Sequence, residues 1–254
     1  MHHISVSNVS KSFAQPGGGE LEVVRRLNLD VAEGEFVALF GPNGCGKTTL
    51  LHIIAGLEPP TSGTVSFAGK PKGEARAGFV FQNYSEALFP WRTVQANVEF
   101  GPECLGMDKP LRKQKAQAVL EELGLLKFAN SFPYQLSGGM RQLTQIARAF
   151  AYEPDHFLLD EPFSALDYSM RLKMEDQLQR SWMERGKTTV FVSHAVDEAV
   201  FLADRIVVLT KRPARVKKII EVSLPRPRTM KTRKSREFFA TCRKVIEAFE
   251  NEAQ

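Results

Sequence analysis

The chain has 254 residues, of which 43% are hydrophobic and 25% charged, enough for a sizeable core in one large domain or two unequal ones. No apolar run approaches the ~20 residues that cross a bilayer, and Met1 to Val6 lacks a basic segment followed by an apolar core, so neither a membrane span nor a signal peptide is expected. The net charge is +5, and the three cysteines (Cys45, Cys104, Cys242) are too scattered for a C-x-x-C zinc pair, which points to a reducing compartment.

Ile4 to Phe13 begins with the alternation of a half-buried strand, Pro16 to Gly19 marks a turn, and Leu21 to Leu29 resumes an extended pattern. After a second turn at Glu33-Gly34, Glu35 to Phe40 reads as a buried strand. It feeds the stretch Gly41, Pro42, Asn43, Gly44, Cys45, Gly46, Lys47, Thr48, Thr49, which fits G-x-x-x-x-G-K-[ST] from Gly41 through Thr48. Thr49 to Ala55 then reads as a helix ending near Gly56. The glycines let successive N–H groups converge on a phosphate chain, and the helix N-terminus adds positive partial charge. Lys47 is expected to reach the β- and γ-phosphates, and the Thr48 hydroxyl to ligate Mg²⁺.

Thr64–Phe67 and Gly78–Phe81 read as further strands, and Gln82 leaves the second one with an amide able to sense Mg²⁺ or an attacking water. From about Thr93 to Ala151 strand signals vanish, and helical spacing dominates Leu111–Leu123 and Met140–Phe150. Within this stretch Ser137 can cap a helix whose Gly138 and Gly139 expose backbone N–H groups, making a second anion site. One nucleotide bound in cis hardly needs two such sites, so the economical reading is that this one meets a nucleotide held by another copy of the chain.

From His156 onward strand and helix alternate: His156–Asp160, Tyr168–Glu184, Thr188–Ser193, Val196–Ala203 and Arg205–Leu209. Such alternation implies a parallel sheet covered on both faces, hence an α/β core with a helical insertion at about 93–151. Ligands of parallel sheets lie beyond the strand C-termini. Asp160 is thus placed to hold Mg²⁺, Glu161 to orient and deprotonate water, and His194 to hydrogen-bond a γ-phosphate. An Asp-Glu-Pro sequence also serves to solvate a strand end; its coupling to a phosphate loop favours the chemical reading. Asp167 carries little signal by itself. Beyond Thr210 a strand near Val216–Val222, a Pro225/Pro227 linker and a terminal helix from about Ser235 to Glu250 are expected. Eleven basic residues between Lys211 and Arg236 crowd this region.

In this order the stretches resemble the ATP-binding subunit of an ABC transporter, over roughly Ile4 to Thr210. Gly41–Thr49 is similar to its Walker A, Phe157–Glu161 to Walker B, Leu136–Gln142 to the signature, Gln82 to the Q-loop, Ser164–Asp167 to the D-loop and His194 to the switch histidine. The resemblance implies a P-loop NTPase core with a parallel sheet, an N-terminal antiparallel β-subdomain and an inserted helical subdomain. It divides the chain into a nucleotide-binding domain at 1–215 and a short basic extension at 216–254. It further implies ATP and Mg²⁺ as ligands, Phe13 stacked on adenine, and a head-to-tail homodimer around two ATP in which Ser137, Gly138 and Gly139 face the partner's phosphate loop. Ala87 to Val94 with Asn97-Val98, and Lys211 to Arg215, resemble the nitrate/sulfonate/taurine import group. That group implies a permease, contacted by Asn83 to Trp91, an extracytoplasmic solute-binding protein, and a peripheral place on the cytoplasmic face of the membrane. Departures from the pattern are Leu143 in place of Arg, Ala195 after the histidine, and His156 opening the Walker B strand. The alternative is a soluble ABC-type ATPase acting on nucleic acid through the basic tail. Against it stand a single set of nucleotide motifs and the lack of a long coiled-coil insertion. The tail also reads as a membrane-surface contact or as a solvated basic segment.

Overall fold

The computed structural model describes residues 2–68, 70, 74–83 and 87–250. In chain order the elements are β1 (His2–Ala14), β2 (Glu20–Ala32), β3 (Phe36–Phe40), α1 (Lys47–Ile54), β4 (Ser62–Phe67) and β5 (Ala77–Val80). There follow α2 (Val94–Cys104), α3 (Lys109–Glu122), α4 (Gly138–Tyr152), β6 (His156–Asp160) and α5 (Tyr168–Arg185). The chain continues with β7 (Thr188–Val192), α6 (Val196–Leu202), β8 (Arg205–Leu209), β9 (Val216–Glu221), α7 (Met230–Arg233) and α8 (Arg236–Glu250). It divides into two compact units, Met1–Arg76 with Glu175–Gln254, and Ala77–Met174.

In the first unit β1 pairs antiparallel with β2 and with β4, the arrangement that the family resemblance implies. Along β2 the side chains of Leu27, Leu29 and Val31 are buried while Asn28 and Asp30 are exposed, the period of a sheet with one covered face. The alternation slips at Val23 and Val24, both buried, where the register shifts and Arg26 takes a positive φ of 42°. Such a bulge bends and twists the strand. In the same unit β3 lies between β7 and β8, parallel to both, and β9 closes antiparallel on β8. Every residue of β3 and β7 is buried, which explains why these strands read as unbroken apolar runs.

In the second unit β5 and β6 pair parallel, Val80 opposite Leu159, and α2, α3 and α4 form the helical segment. Two helix starts differ from the sequence reading. The first helix begins at Lys47, two residues earlier than expected, because Gly46 already occupies the cap position. The α2 helix starts at Val94, ahead of the first helical spacing expected at Leu111, and runs through Gly101-Pro102; Thr93 caps its start by accepting from the Ala96 N–H.

The C-terminal residues are bound to the first unit rather than solvated as a tail. Arg226 pairs with Asp204 at 2.7 Å and stacks over Trp182. Arg233 pairs with the fully buried Glu175 and lies over the Phe201 ring. Arg228 is 1% exposed and donates to the carbonyls of Val200, Phe201, Ala203, Val222 and Leu224, so it caps the C-terminal end of α6. Burial pulls its pKa down to about 10, still high enough to keep it charged near neutrality. These three arginines have protein partners and are withdrawn from nucleic-acid or lipid binding. Lys218, Lys231, Lys234 and Arg236 remain exposed, as the solvated reading has it. Arg228→Met should cost about 3 kcal/mol or more of stability, because dry carbonyls lose their donor. Lys218→Met should stay within about 0.5 kcal/mol. Urea unfolding of the full chain measures both, and equal midpoints would refute the capping role.

Candidate functional site

In the first unit the register of β3 against β7 sets Leu39 opposite Val192. Gly41 and His194 therefore leave the sheet at the same edge. The loop from Gly41 to Gly46 owes its path to close packing. A Cβ on Gly46, whose φ is 121°, would meet Val23 Cγ1 at 2.9 Å. Only glycine fits both that angle and that approach. Gly46 is also the N-cap of α1 and offers no side-chain oxygen, so the first amides of the helix are left for another acceptor. The buried Lys47 ammonium donates to the carbonyls of Gly41 at 2.8 Å and Pro42 at 3.0 Å. Thr48 and Thr49 are half-buried on the first turn, while Asn43 and Gly44 are exposed.

His194 is exposed at the start of the turn into α6. That turn is braced by Ser193, whose hydroxyl donates to the buried Glu198 carboxylate at 2.6 Å and accepts from the Ala195 N–H at 3.0 Å. Phe13 pairs in register with Leu21, two residues along β2 from the Val23 that packs on Gly46. Its ring is 38% exposed, and the Lys11 ammonium, paired with Glu58, lies 4.8 Å from the ring centroid.

In the second unit the parallel pairing of β5 with β6 brings Gln82 and Glu161 to one edge. Gln82 Nε2 donates to Glu161 Oε2 at 3.2 Å. Asp160 is buried at the end of β6, and Glu161 adopts a positive φ of 47°. That angle is uncommon for a residue with a Cβ and turns the chain sharply after the strand. Ser137 is exposed; its hydroxyl accepts from the Met140 N–H at 3.3 Å, and Gly138 and Gly139 open α4. Gly139 is packed so closely that a Cβ there would meet Leu166 Cδ2 at 2.9 Å. Asp167 accepts from the Met170 N–H at 3.0 Å and so serves the start of α5.

Sequence reasoning missed the glutamines that hold these loops. Gln145 accepts from the Phe81 N–H at 2.6 Å and donates to the Phe81 carbonyl at 3.1 Å, fixing the backbone just before Gln82. Gln142 donates to the Glu161 carbonyl at 3.1 Å and accepts from the Ala165 N–H at 3.0 Å. Both are fully buried. The available signal was two amides three residues apart among the apolar positions of an amphipathic helix, where a polar side chain needs partners. The segment after Gln82 was also missed as an anchored loop. Asn97, fully buried on α2, accepts from the Phe89 N–H and donates to the carbonyls of Phe89, Arg92 and Thr93.

A sequence profile described as ABC transporter matches residues 24–164, more than half of the chain. MJ0412 of Methanocaldococcus jannaschii, an uncharacterized ABC transporter ATP-binding protein, is 46% identical over 98% of this chain and 92% of its own length. In Synechococcus elongatus, the bicarbonate transport ATP-binding protein CmpC is 46% identical and the nitrate import ATP-binding protein NrtC 42% identical, each over 89% of this chain. The chain spans 34% of CmpC and 35% of NrtC. Among solved structures, the dimeric bacterial ABC transporter cassette MJ0796 aligns with a TM-score of 0.78 at 33% identity, over 87% of this chain and all of that one. The post-hydrolysis MJ0796 dimer bound to ADP and Pi gives a TM-score of 0.77 at 32% identity, also over 87% of this chain and all of its own. With a glycine-rich loop leaving a parallel sheet and MJ0412 matched nearly end to end, this chain belongs to the ABC transporter family, as an ATP-binding and ATP-hydrolysing cassette.

Proposed function

We propose that this cassette powers uptake of a small anion through a membrane permease, working as a homodimer that closes around two ATP. The observation that carries the catalytic part is the Gln82–Glu161 hydrogen bond. It orients a carboxylate at a strand edge with an amide that cannot itself take a proton, so Glu161 acts as the base on the attacking water. Gln82 senses the occupied site and passes its state to the loop that follows. Lys47 exchanges its hold on the Gly41 and Pro42 carbonyls for the β- and γ-phosphates. The amides of Gly44 to Thr49 receive the remaining phosphate oxygens, His194 bonds the γ-phosphate, and Phe13 stacks on adenine with Lys11 behind its ring.

The Thr48 hydroxyl and the Asp160 carboxylate are hard oxygen donors of the kind Mg²⁺ takes, and Gln82 adds an amide oxygen. The ion supplies charge neutralisation on the phosphates. Ser137, Gly138 and Gly139 cap the nucleotide held by the partner protomer. Nucleotide favours the closed dimer only through contacts made there, so hydrolysis releases it, and this difference drives the permease.

Docking on the permease uses the loop that follows Gln82. A cavity of about 460 Å³ in the second unit is lined by Phe79, Phe81, Phe89, Phe100, Arg148 and Tyr152 among others. Arg148 donates to the Ala87 carbonyl at 2.7 Å, and burial pulls its pKa down. Trp91, 72% exposed, has its ring 5.5 Å from that of Phe89 on the loop that Asn97 anchors. Residues 84–86 of the expected docking segment lie outside the described residues. Among the described residues no helix is long and apolar enough to cross a membrane, which fits a subunit held peripherally on the cytoplasmic face. The names of CmpC and NrtC support an anionic solute such as bicarbonate or nitrate, with taurine or another sulfonate as the third candidate. An extracytoplasmic solute-binding protein would deliver it. Uptake of each anion by vesicles carrying the cassette with its permease tests the assignment; uptake of none of them would sink it.

Glu161→Gln should retain ATP binding while turnover falls by about 10²–10⁴-fold, the usual worth of a general base. With MgATP this variant should run as a dimer in light scattering; full turnover removes Glu161 from the role of base, and a strict monomer even beside the permease removes the closed dimer. Lys47→Ala should weaken equilibrium ATP binding by about tenfold or more. Trp91→Ala should lower recovery of the permease with the cassette by about tenfold, as truncation of a central interface tryptophan does. Undiminished recovery would exclude this loop from the contact.

A further inference from the structure

The turn between β8 and β9 carries a side chain aimed at the phosphate loop. Thr210 closes this turn: its N–H donates to the Arg215 carbonyl at 3.0 Å, and its hydroxyl donates to the Pro213 carbonyl and accepts from the Arg215 N–H, each at 3.0 Å. Ala214 is fully buried and locked to β2, donating to the Val23 carbonyl at 2.8 Å and accepting from the Arg25 N–H at 3.1 Å. Val23 is the residue that packs on Gly46. The turn and the phosphate loop thus share one rigid support, and from it the Arg212 guanidinium reaches the Gly44 carbonyl, with Nε at 3.0 Å and Nη2 at 2.7 Å.

We propose that Arg212 is a positioning residue of the nucleotide site: its two-pronged grip on the Gly44 carbonyl aims the Cys45 amide into the phosphate cradle. The peptide joining Gly44 to Cys45 is planar and trans, so an oxygen fixed on one side fixes the N–H on the opposite side. A charged donor on the carbonyl also polarises the peptide and strengthens that N–H as a donor. The Cys45 N–H donates to the Pro42 carbonyl at 3.3 Å, a long bond that a phosphate oxygen readily replaces. Gly44 has a φ of 70° and is exposed, so nothing in its own conformation locks the peptide plane; the fork from outside does. Arg212 itself touches no nucleotide in this scheme. A lysine would supply the charge but not two donors in a fixed plane.

The inference rests on Gly41–Thr49 being the phosphate-binding loop, and the test separates the two. Equilibrium binding of MgATP and MgADP to the full-length chain is measured by calorimetry, together with the Cys45 amide signal by ¹⁵N-resolved NMR. Arg212→Ala should raise Kd for both nucleotides about three- to tenfold, the net worth of a typical hydrogen bond at an exposed position. Its Cys45 amide should shift and exchange faster with solvent. Arg212→Lys should recover less than half of the lost affinity. Wild-type affinity in Arg212→Ala, full rescue by Arg212→Lys, or weakened binding with an unmoved Cys45 amide would each overturn the proposal. Lys47→Ala is run alongside. Intact binding in that variant condemns the phosphate-loop reading, whereas a defect there with normal Arg212 variants condemns the Arg212 assignment alone.

Discussion

A cationic side chain buried inside an anion-binding loop must have acceptors. Lys47 finds them in the carbonyls of Gly41 and Pro42, in the same loop that runs into the uncapped N-terminus of α1. An unpaired buried ammonium would cost far more than the loop's own stability, so the loop's conformation and the lysine's position are mutually dependent. The rest of the first unit serves this arrangement. The buried strand β3 brings the chain to the sheet edge, the uncapped start of α1 leaves its amides open, and Val23 on β2 sets how closely Gly46 can approach.

The second unit solves a different problem, the orientation of a carboxylate on a loop. Loops are the least constrained part of a fold, yet Glu161 is fixed at three points. Its side chain accepts from Gln82, its carbonyl accepts from Gln142, and its backbone is held at positive φ. The Gln82 loop is in turn fastened by Gln145, one turn further along the same helix. Because α4 begins at Ser137 and Gly138, one helix links the exposed serine-and-glycine end to both loops that meet at Glu161. A displacement of that helix start would therefore be felt at the carboxylate. The helix start and the carboxylate thus belong to one mechanically continuous network.

How much of this was legible in the sequence depended on how local the chemistry was. The phosphate loop is a single run of nine residues whose glycines, lysine and threonine must be contiguous, so its pattern is visible without a fold. Gln82 with Glu161 in the second unit, and Gly41 with His194 in the first, could be placed because each follows an apolar strand, and paired parallel strands deliver their ends to one edge. What the sequence hid were side chains whose partners are remote. Gln145 reaches Phe81 across 64 positions and Arg233 reaches Glu175 across 58, and no local period encodes such pairs. The basic tail misled for the same reason. A count of arginines cannot separate those that face solvent from Arg228, which serves five carbonyls inside the fold.

The tail's burial bears on the histidine at the sheet edge. The α6 helix that follows His194 has seven residues, too few to hold its own shape without tertiary contacts. At its start Glu198 on the helix accepts from Ser193, and Asp197 lies within ion-pair range of Arg233. At its end Arg228 binds the carbonyls of Val200 and Phe201, and Phe201 also lies under the Arg233 guanidinium. A guanidinium at a helix C-terminus is favoured by the helix dipole as well as by the hydrogen bonds. Residues 226–233 therefore hold both ends of the short helix whose first turn sets where the exposed imidazole stands. The C-terminal segment is thus part of what holds the edge of the first unit from which His194 projects.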